Sequence, residues 1–270
     1  GVLGISLAFY AVLFVRYNAG SPSIKRNYIA ELNAQIRAVP ESDRAWPVYL
    51  EAIRQVDSVT LSRASHGPWF VAPTRGEAMA WVEEHREGVE TIRAAAAKPA
   101  LGYILSTRPD PALQRAYGVD DEPPVVEGEE DANPIVVDVL LPYLAELKRM
   151  TRVLWVGAQA ARDEREAARV GAGVEAMLGI EEEGRLGGFL ISDLVSISLA
   201  ELALQTVREC ISAAPGMLDR EQWAGVAHRI GAFPRDGEPL MRLKGERMFF
   251  DDFLQPPRIR HLVLPDRLPP

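Results

Sequence analysis

Hydrophobic positions along the chain recur at helical spacing almost throughout, and no run of five or more alternating apolar and polar residues signals a strand. Ile24, Tyr28, Leu32 and Ile36 form one apolar stripe, with Lys25, Arg26, Glu31 and Arg37 elsewhere on the surface. Val39-Pro40 ends that helix. Ser42 or Asp43 is placed to cap the next one, Pro47 is tolerated near its start, and Trp46, Leu50 and Ile53 line its face. Gly67-Pro68 and Pro73 punctuate residues 57–73. Thr74 with Glu77 then matches a capping box, which opens a helix running to about Lys98, where Pro99 stops it. Leu101 to Leu105 extend a short helix on the same reasoning.

The second half is more regular. Pro142 sits near a helix start, followed by Leu144, Leu147, Met150, Val153, Leu154 and the alanines up to Ala161. The charged stretch 162–166 contains or adjoins a turn. Ala168, Ala172, Val174, Met177, Leu178 and Ile180 mark the next helix, and Gly187-Gly188 breaks the pattern. Phe189 to Ile211 is the most apolar of these helices. Its polar residues Asp193, Glu201, Gln205 and Glu209 fall at multiples of four, which predicts a central helix with one exposed polar edge. Asp219 caps a helix from Arg220 to Ile230 with Trp223, Val226, Ala227 and Ile230 on one face. Lys244 to Leu254 is a last helix, before a tail too rich in proline to be helical.

The start of the chain is different in kind. Val2 to Val15 carries no charge. Fourteen residues of helix span roughly 21 Å, short of the ~30 Å hydrocarbon core. Arg16 and Tyr17 follow, a charged and aromatic edge of the sort found at a bilayer interface, and residues 19–23 read as a short exit linker. The expectation is a membrane anchor helix, against the alternative of an apolar helix buried in the protein's own core. The predicted fold class is therefore all-α. A membrane helix (1–20) precedes a helical region (24–118), an acidic linker (119–134), a repeat-like array of antiparallel helical hairpins (135–232), and a short helix with a Pro-rich tail (233–270).

Composition adds bounds. Of 270 residues, 47% are hydrophobic and 25% charged, enough to build a buried core. The net charge of −8 argues against a general nucleic-acid binder. Seven acids and no base fall within 120–131, which reads as a solvated, self-repelling connection. The spacing there does not match a calcium-binding loop. One cysteine, Cys210, rules out an internal disulfide and any Cys-based zinc cluster.

Residues 25–49, KRNYIAELNAQIRAVPESDRAWPVY, together with the apolar run before them, resemble the start of uncharacterised, N-terminally anchored helical proteins common in planctomycete-type bacteria. RLGGFLISDLVSISLAE at 185–201 is a weaker echo of a step between two helices in the same proteins. The resemblance implies location and fold and brings no catalytic residues.

The catalytic motifs sought are missing from the sequence. It holds no P-loop, no dinucleotide fingerprint, no His-Glu-x-x-His and no Gly-x-Ser-x-Gly. His85, among Glu83, Glu84, Arg86, Glu87 and Glu90, reads as a solvated histidine. Asp193 and Glu201 lie roughly 12 Å apart along a helix, too far for one metal ion to hold both. Ser192, Ser196 and Ser198 are placed to bond back to helix carbonyls, Cys210 reads as a buried thiol, and the loop His66-Gly67-Pro68-Trp69-Phe70 as packing against the first helices. No catalytic, cofactor-binding or metal-ligating residue is assigned. The expected function is that of a single-pass, membrane-anchored, non-catalytic interaction or structural subunit of an envelope assembly, its body extracytoplasmic. Its expected partners are lipid at the N-terminal helix and other protein subunits at residues 1–20 and 255–270, where Arg258, Arg260 and Arg267 face Asp266 alone. The alternative is an envelope hydrolase with its site between the helical halves.

Overall fold

The computed structural model describes residues 26–56, 75–119, 136, 139–185, 189–213, 216–231 and 244–253. Among them are ten α-helices and no strand, only two isolated bridges, Arg44 with Ala100 and Ser106 with Leu140. The all-α expectation holds. The helices are α1 (Tyr28–Arg37), α2 (Trp46–Gln55), α3 (Arg75–Glu84), α4 (Arg86–Ala96), α5 (Pro111–Ala116), α6 (Pro142–Asp163), α7 (Ala167–Arg185), α8 (Leu190–Ala213), α9 (Arg220–Gly231) and α10 (Lys244–Phe253). The expected anchor (1–20), the acidic run 120–131, the loop at His66 and the tail (255–270) lie outside the described residues.

Local chemistry explains several boundaries. Asn27 caps α1 by accepting from the Ala30 amide at 2.9 Å. The Asp219 side chain accepts from the Gln222 amide and the Gln222 side chain accepts from the Asp219 amide, both at 2.9 Å, a reciprocal cap on α9. The helix α6 stops in a Schellman arrangement: Glu166 N bonds Ala161 O at 2.8 Å and Arg165 N bonds Arg162 O at 3.1 Å. Arg165 takes the left-handed position, at φ 61°, where glycine is usual. This places the turn inside 162–166, as its charge predicted.

Three expectations are corrected. First, α2 is preceded by a 3-10 turn, Glu41–Asp43, and its cap is Ala45, which makes no side-chain cap bond. The start of α2 is held instead by Ala45 N and Trp46 N bonding the carbonyls of Ala100 and Leu101 at 2.8 and 2.7 Å. Second, Leu101 to Leu105 is not helical. The buried Asn33 side chain satisfies both the amide and the carbonyl of Leu105, at 2.8 Å each, which competes with helix formation. Third, the helix expected from 74 to 98 is interrupted at His85, whose ring stacks on Trp81 with centroids 4.4 Å apart and whose Nδ1 lies 2.9 Å from the Trp81 carbonyl.

The centre of the body is α7, not α8. It packs against α4, α6, α8 and α9. A Cβ on Gly173 would meet Ala158 of α6, one on Gly179 would meet the Ala96 carbonyl of α4, and one on Gly184 would meet Ser196 of α8. Small residues on several sides let backbones approach closely. The α6 and α7 helices are antiparallel, since Gly173 faces Ala158 while Gly184 faces Leu147. By contrast α8 runs alongside α6, with Tyr143 joined to Ser192 and Gln159 to Glu209. Helix α9 runs alongside α7, since Gly171 faces Gln222, Gly225 faces Glu175, and Arg229 lies 3.4 Å from Glu182. Helices α6, α7 and α8 thus form two successive antiparallel pairs. One hydrophobic cluster joins residues of the N-terminal helices to this array, and a smaller one holds Ala161, Val170, Cys210 and Leu218.

Candidate functional site

The buried ionisable and hydroxyl groups form a seam of two parts: Tyr49 of α2 with Glu183 of α7, and a line of rings from Trp46 through Tyr103 to Tyr143 of α6, which reaches Ser192 of α8. Tyr49 of α2 donates to Glu183 Oε2 of α7 at 2.7 Å, and both side chains are buried. Burial pushes the Glu183 carboxyl up to about 8, with the Tyr49 hydrogen bond opposing. It raises the Tyr49 phenol well above its ordinary value, with the Glu183 charge adding to the effect. Around neutral pH the pair is therefore a phenol hydrogen-bonded to a carboxylic acid, with no net charge to desolvate.

A second strand of the seam runs through aromatic rings. Trp46 meets Tyr103 edge-on at 4.9 Å, and Tyr103 tilts against Tyr143 at 4.8 Å. Trp46 Nε1 donates to Asp110 Oδ2 at 3.1 Å, while Asp110 Oδ1 caps α5 through Ala112 N and Leu113 N. The Tyr143 hydroxyl lies 3.1 Å from Ser192 Oγ, and both are buried. Burial raises the Tyr143 phenol, the Ser192 hydrogen bond lowers it, and the nearby Asp193 charge raises it. Burial likewise raises Tyr103, with Asp110 adding to the effect.

Asp193 is 1% exposed, which corrects the expected polar edge of α8. Each step of four residues advances about 40° beyond a full turn, so 16 residues place Asp193 and Glu209 about 160° apart around the axis. Asp193 points into the seam. Glu201 and Gln205 face solvent, and Glu209 joins Gln159 and Gln205. Of the serines, Ser198 bonds back to the Val195 carbonyl at 2.7 Å as expected, but Ser192 bonds across to α6. Cys210 is buried in the smaller cluster. His85 is half-buried against Trp81 rather than free on a charged face. The structure does not bring His85, Glu201 and Cys210 together, nor does it place any of them in the seam.

The hydrogen bonds of the seam tie α2 to α7 and α6 to α8. A nucleophile needs a base positioned to take its proton, and the partner of Ser192 is a phenol. Among the described residues no group of three His, Cys, Asp or Glu side chains is arranged to hold a metal. Sequence reasoning missed Asn33, Tyr49 and Glu183. Tyr49 lies one residue from the apolar position Leu50, and Glu183 sits in the run Glu181-Glu182-Glu183, of which Glu181 and Glu183 are buried and Glu182 is exposed.

One described helix, Leu190–Ser212 within α8, is long and apolar enough to cross a membrane by length and composition, and 33% of its apolar window is buried in the body. No family model, curated protein or solved structure matches the chain.

Proposed function

We propose that the chain is a membrane-anchored, non-catalytic interaction or structural protein, an accessory subunit of a larger envelope assembly. The observation that carries this reading is α8. Its apolar side chains Ile191, Leu194 and Ile197 stay 41–50% exposed on a helix whose other faces are packed. Exposed apolar surface on a single stripe normally marks a protein or membrane contact. The uncharged run Val2–Val15 and the resemblance of residues 25–49 to anchored proteins support the same location. Fractionation of cells expressing the full chain tests it. The protein should stay with membranes through high salt and carbonate and leave only in detergent. Recovery in the salt-soluble fraction contradicts the reading.

The hydrolase reading draws on two buried pairs, Tyr49 with Glu183 across the helical halves and Tyr143 with Ser192 beside Asp193. Substituting Asp193→Asn discriminates. Loss of an ester- or phosphoester-cleaving activity, with membrane retention and melting temperature unchanged, favours the enzyme.

A further inference from the structure

Eight large hydrophobic side chains are exposed among the described residues, and six of them share one end of the body. Ile191, Leu194 and Ile197 ride on the first turns of α8. Leu140 lies just before α6, tied by its amide to the Ser106 carbonyl at 2.9 Å. The Tyr143–Ser192 hydrogen bond holds the first turns of α6 and α8 side by side. Tyr117 and Val119 follow α5, and the Tyr117 hydroxyl donates to Glu146 on the second turn of α6 at 2.6 Å. We infer that the end of the helical body carrying Tyr117, Val119, Leu140, Ile191, Leu194 and Ile197 docks on a phospholipid bilayer, lying in the interface rather than crossing it. This rests on the reading of the chain as membrane-anchored, and it assigns the face that meets the lipid.

Charge at this end supports lipid as the occupant. Arg115 of α5 and Lys148 in the second turn of α6 are exposed, as is Arg152 at the middle of α6, with no ion-pair partner among the described residues. The Arg149 guanidinium sits 5.0 Å from the Tyr117 ring centroid and pairs with Glu146. No described acid is exposed on α5, on α6 up to Arg152, or on α8 up to Ser198; the exposed acids beside this end are Glu182 in the last turn of α7, paired with Arg229 of α9, and Glu201, one turn beyond Ile197. Glu146 and Asp193 are buried. A local basic and apolar end on a chain of net charge −8 is suited to lipid phosphates, with aromatic and cationic residues at headgroup level. A second copy fits less well. A two-fold contact would bring this basic surface against itself. The seven acids of 120–131 follow Val119 in sequence and oppose anionic lipid, so insertion of apolar side chains is the main attraction. Crossing is disfavoured because Glu201, Gln205 and Arg208 are exposed further along α8 and would fall inside hydrocarbon.

The test uses the full chain in a Cys210→Ser background with an environment-sensitive fluorophore at Leu194→Cys, or at Ile197→Cys as a second site. Ala227→Cys on α9 is the control. Vesicles of phosphatidylcholine and phosphatidylglycerol carry a quencher either high or low on the acyl chain. The labels at 194 and 197 should brighten several-fold on vesicles and be quenched by the high position more than the low. The control should not change. If the chain floats with vesicles while both labels stay in water, anchoring stands and docking fails. If the chain does not float, the anchored reading fails and docking falls with it. Brightening without vesicles that grows with protein concentration assigns the face to a second copy and overturns the inference. Quenching strongest at the low position overturns the interfacial geometry.

Discussion

The α7 and α8 helices lie side by side and differ in what they do with their residues. Helix α7 is poor in large side chains and carries a run of three glutamates, yet most of it is buried, and its glycines admit neighbours from several sides. Helix α8 is richer in Leu and Ile, yet two-thirds of its apolar window stays outside the core. Burial in this body follows how closely a backbone can be approached, not how apolar the helix is. Glu183 goes inside because α7 does, and burial pushes its carboxyl up to about 8, while Glu181, also buried, pairs with Arg185. Isoleucines such as Ile191 stay outside because that face of α8 has no neighbour among the described residues.

The largest expected effect concerns Glu183. Its folded-state pKa lies above its unfolded value, so its contribution to stability is fully present below about pH 4.5 and is lost as pH rises to about 8. The loss across that window should be on the order of 4 kcal/mol, at about 1.4 kcal/mol per unit. Glu183→Gln keeps an acceptor for Tyr49 and cannot ionise. Urea unfolding at several pH values should show its slope flattened, with the variant more stable than the parent at alkaline pH and similar near pH 5.

Next comes Gly179. A Cβ there would lie 2.2 Å from the Ala96 carbonyl oxygen, a backbone atom that cannot swing aside. Gly179→Ala should cost ~3 kcal/mol by pushing α7 off α4, whereas Gly231→Ala, with open space around it, should cost little. A smaller effect of opposite sign is expected at the α6–α7 turn. Arg165→Gly relieves a left-handed backbone and should stabilise by roughly 0.5–1 kcal/mol, read as a raised unfolding midpoint. The smallest belongs to α8. Leu194→Ser should change stability by no more than about 0.5 kcal/mol, because the side chain is half exposed. A cost similar to that of Gly179→Ala would mean that this face is covered in solution.

The comparison also explains what was legible in the sequence. The helices α6, α7 and α9 were readable because their signals are local: Pro142 at a first turn, charge at 162–166, and the Asp219 cap with its period of apolar residues. The polar interior was not. Asn33 is one turn from Tyr28–Ile29 and looks like any surface asparagine, and its role exists only because Leu105, 72 residues away, offers two backbone groups. Asp193 was read on an exposed edge because spacing of four looks like a stripe over one turn and drifts off it over four. Ala227 was placed on the buried face of α9 and is exposed, since Val226 next to it takes the inward position. Hydropathy alone ranks α8 as the central helix because it does not record which neighbour arrives; α7 holds that place.

Hydrogen–deuterium exchange of the full chain, with and without vesicles of phosphatidylcholine and phosphatidylglycerol, tests the central claim most directly. The account predicts slower exchange on vesicles at 139–145 and 190–198, with α9 and the helices around Tyr49 and Glu183 unchanged. Slowing around Tyr49 and Glu183, with 190–198 exchanging as in solution, would contradict it and move attention to the buried seam.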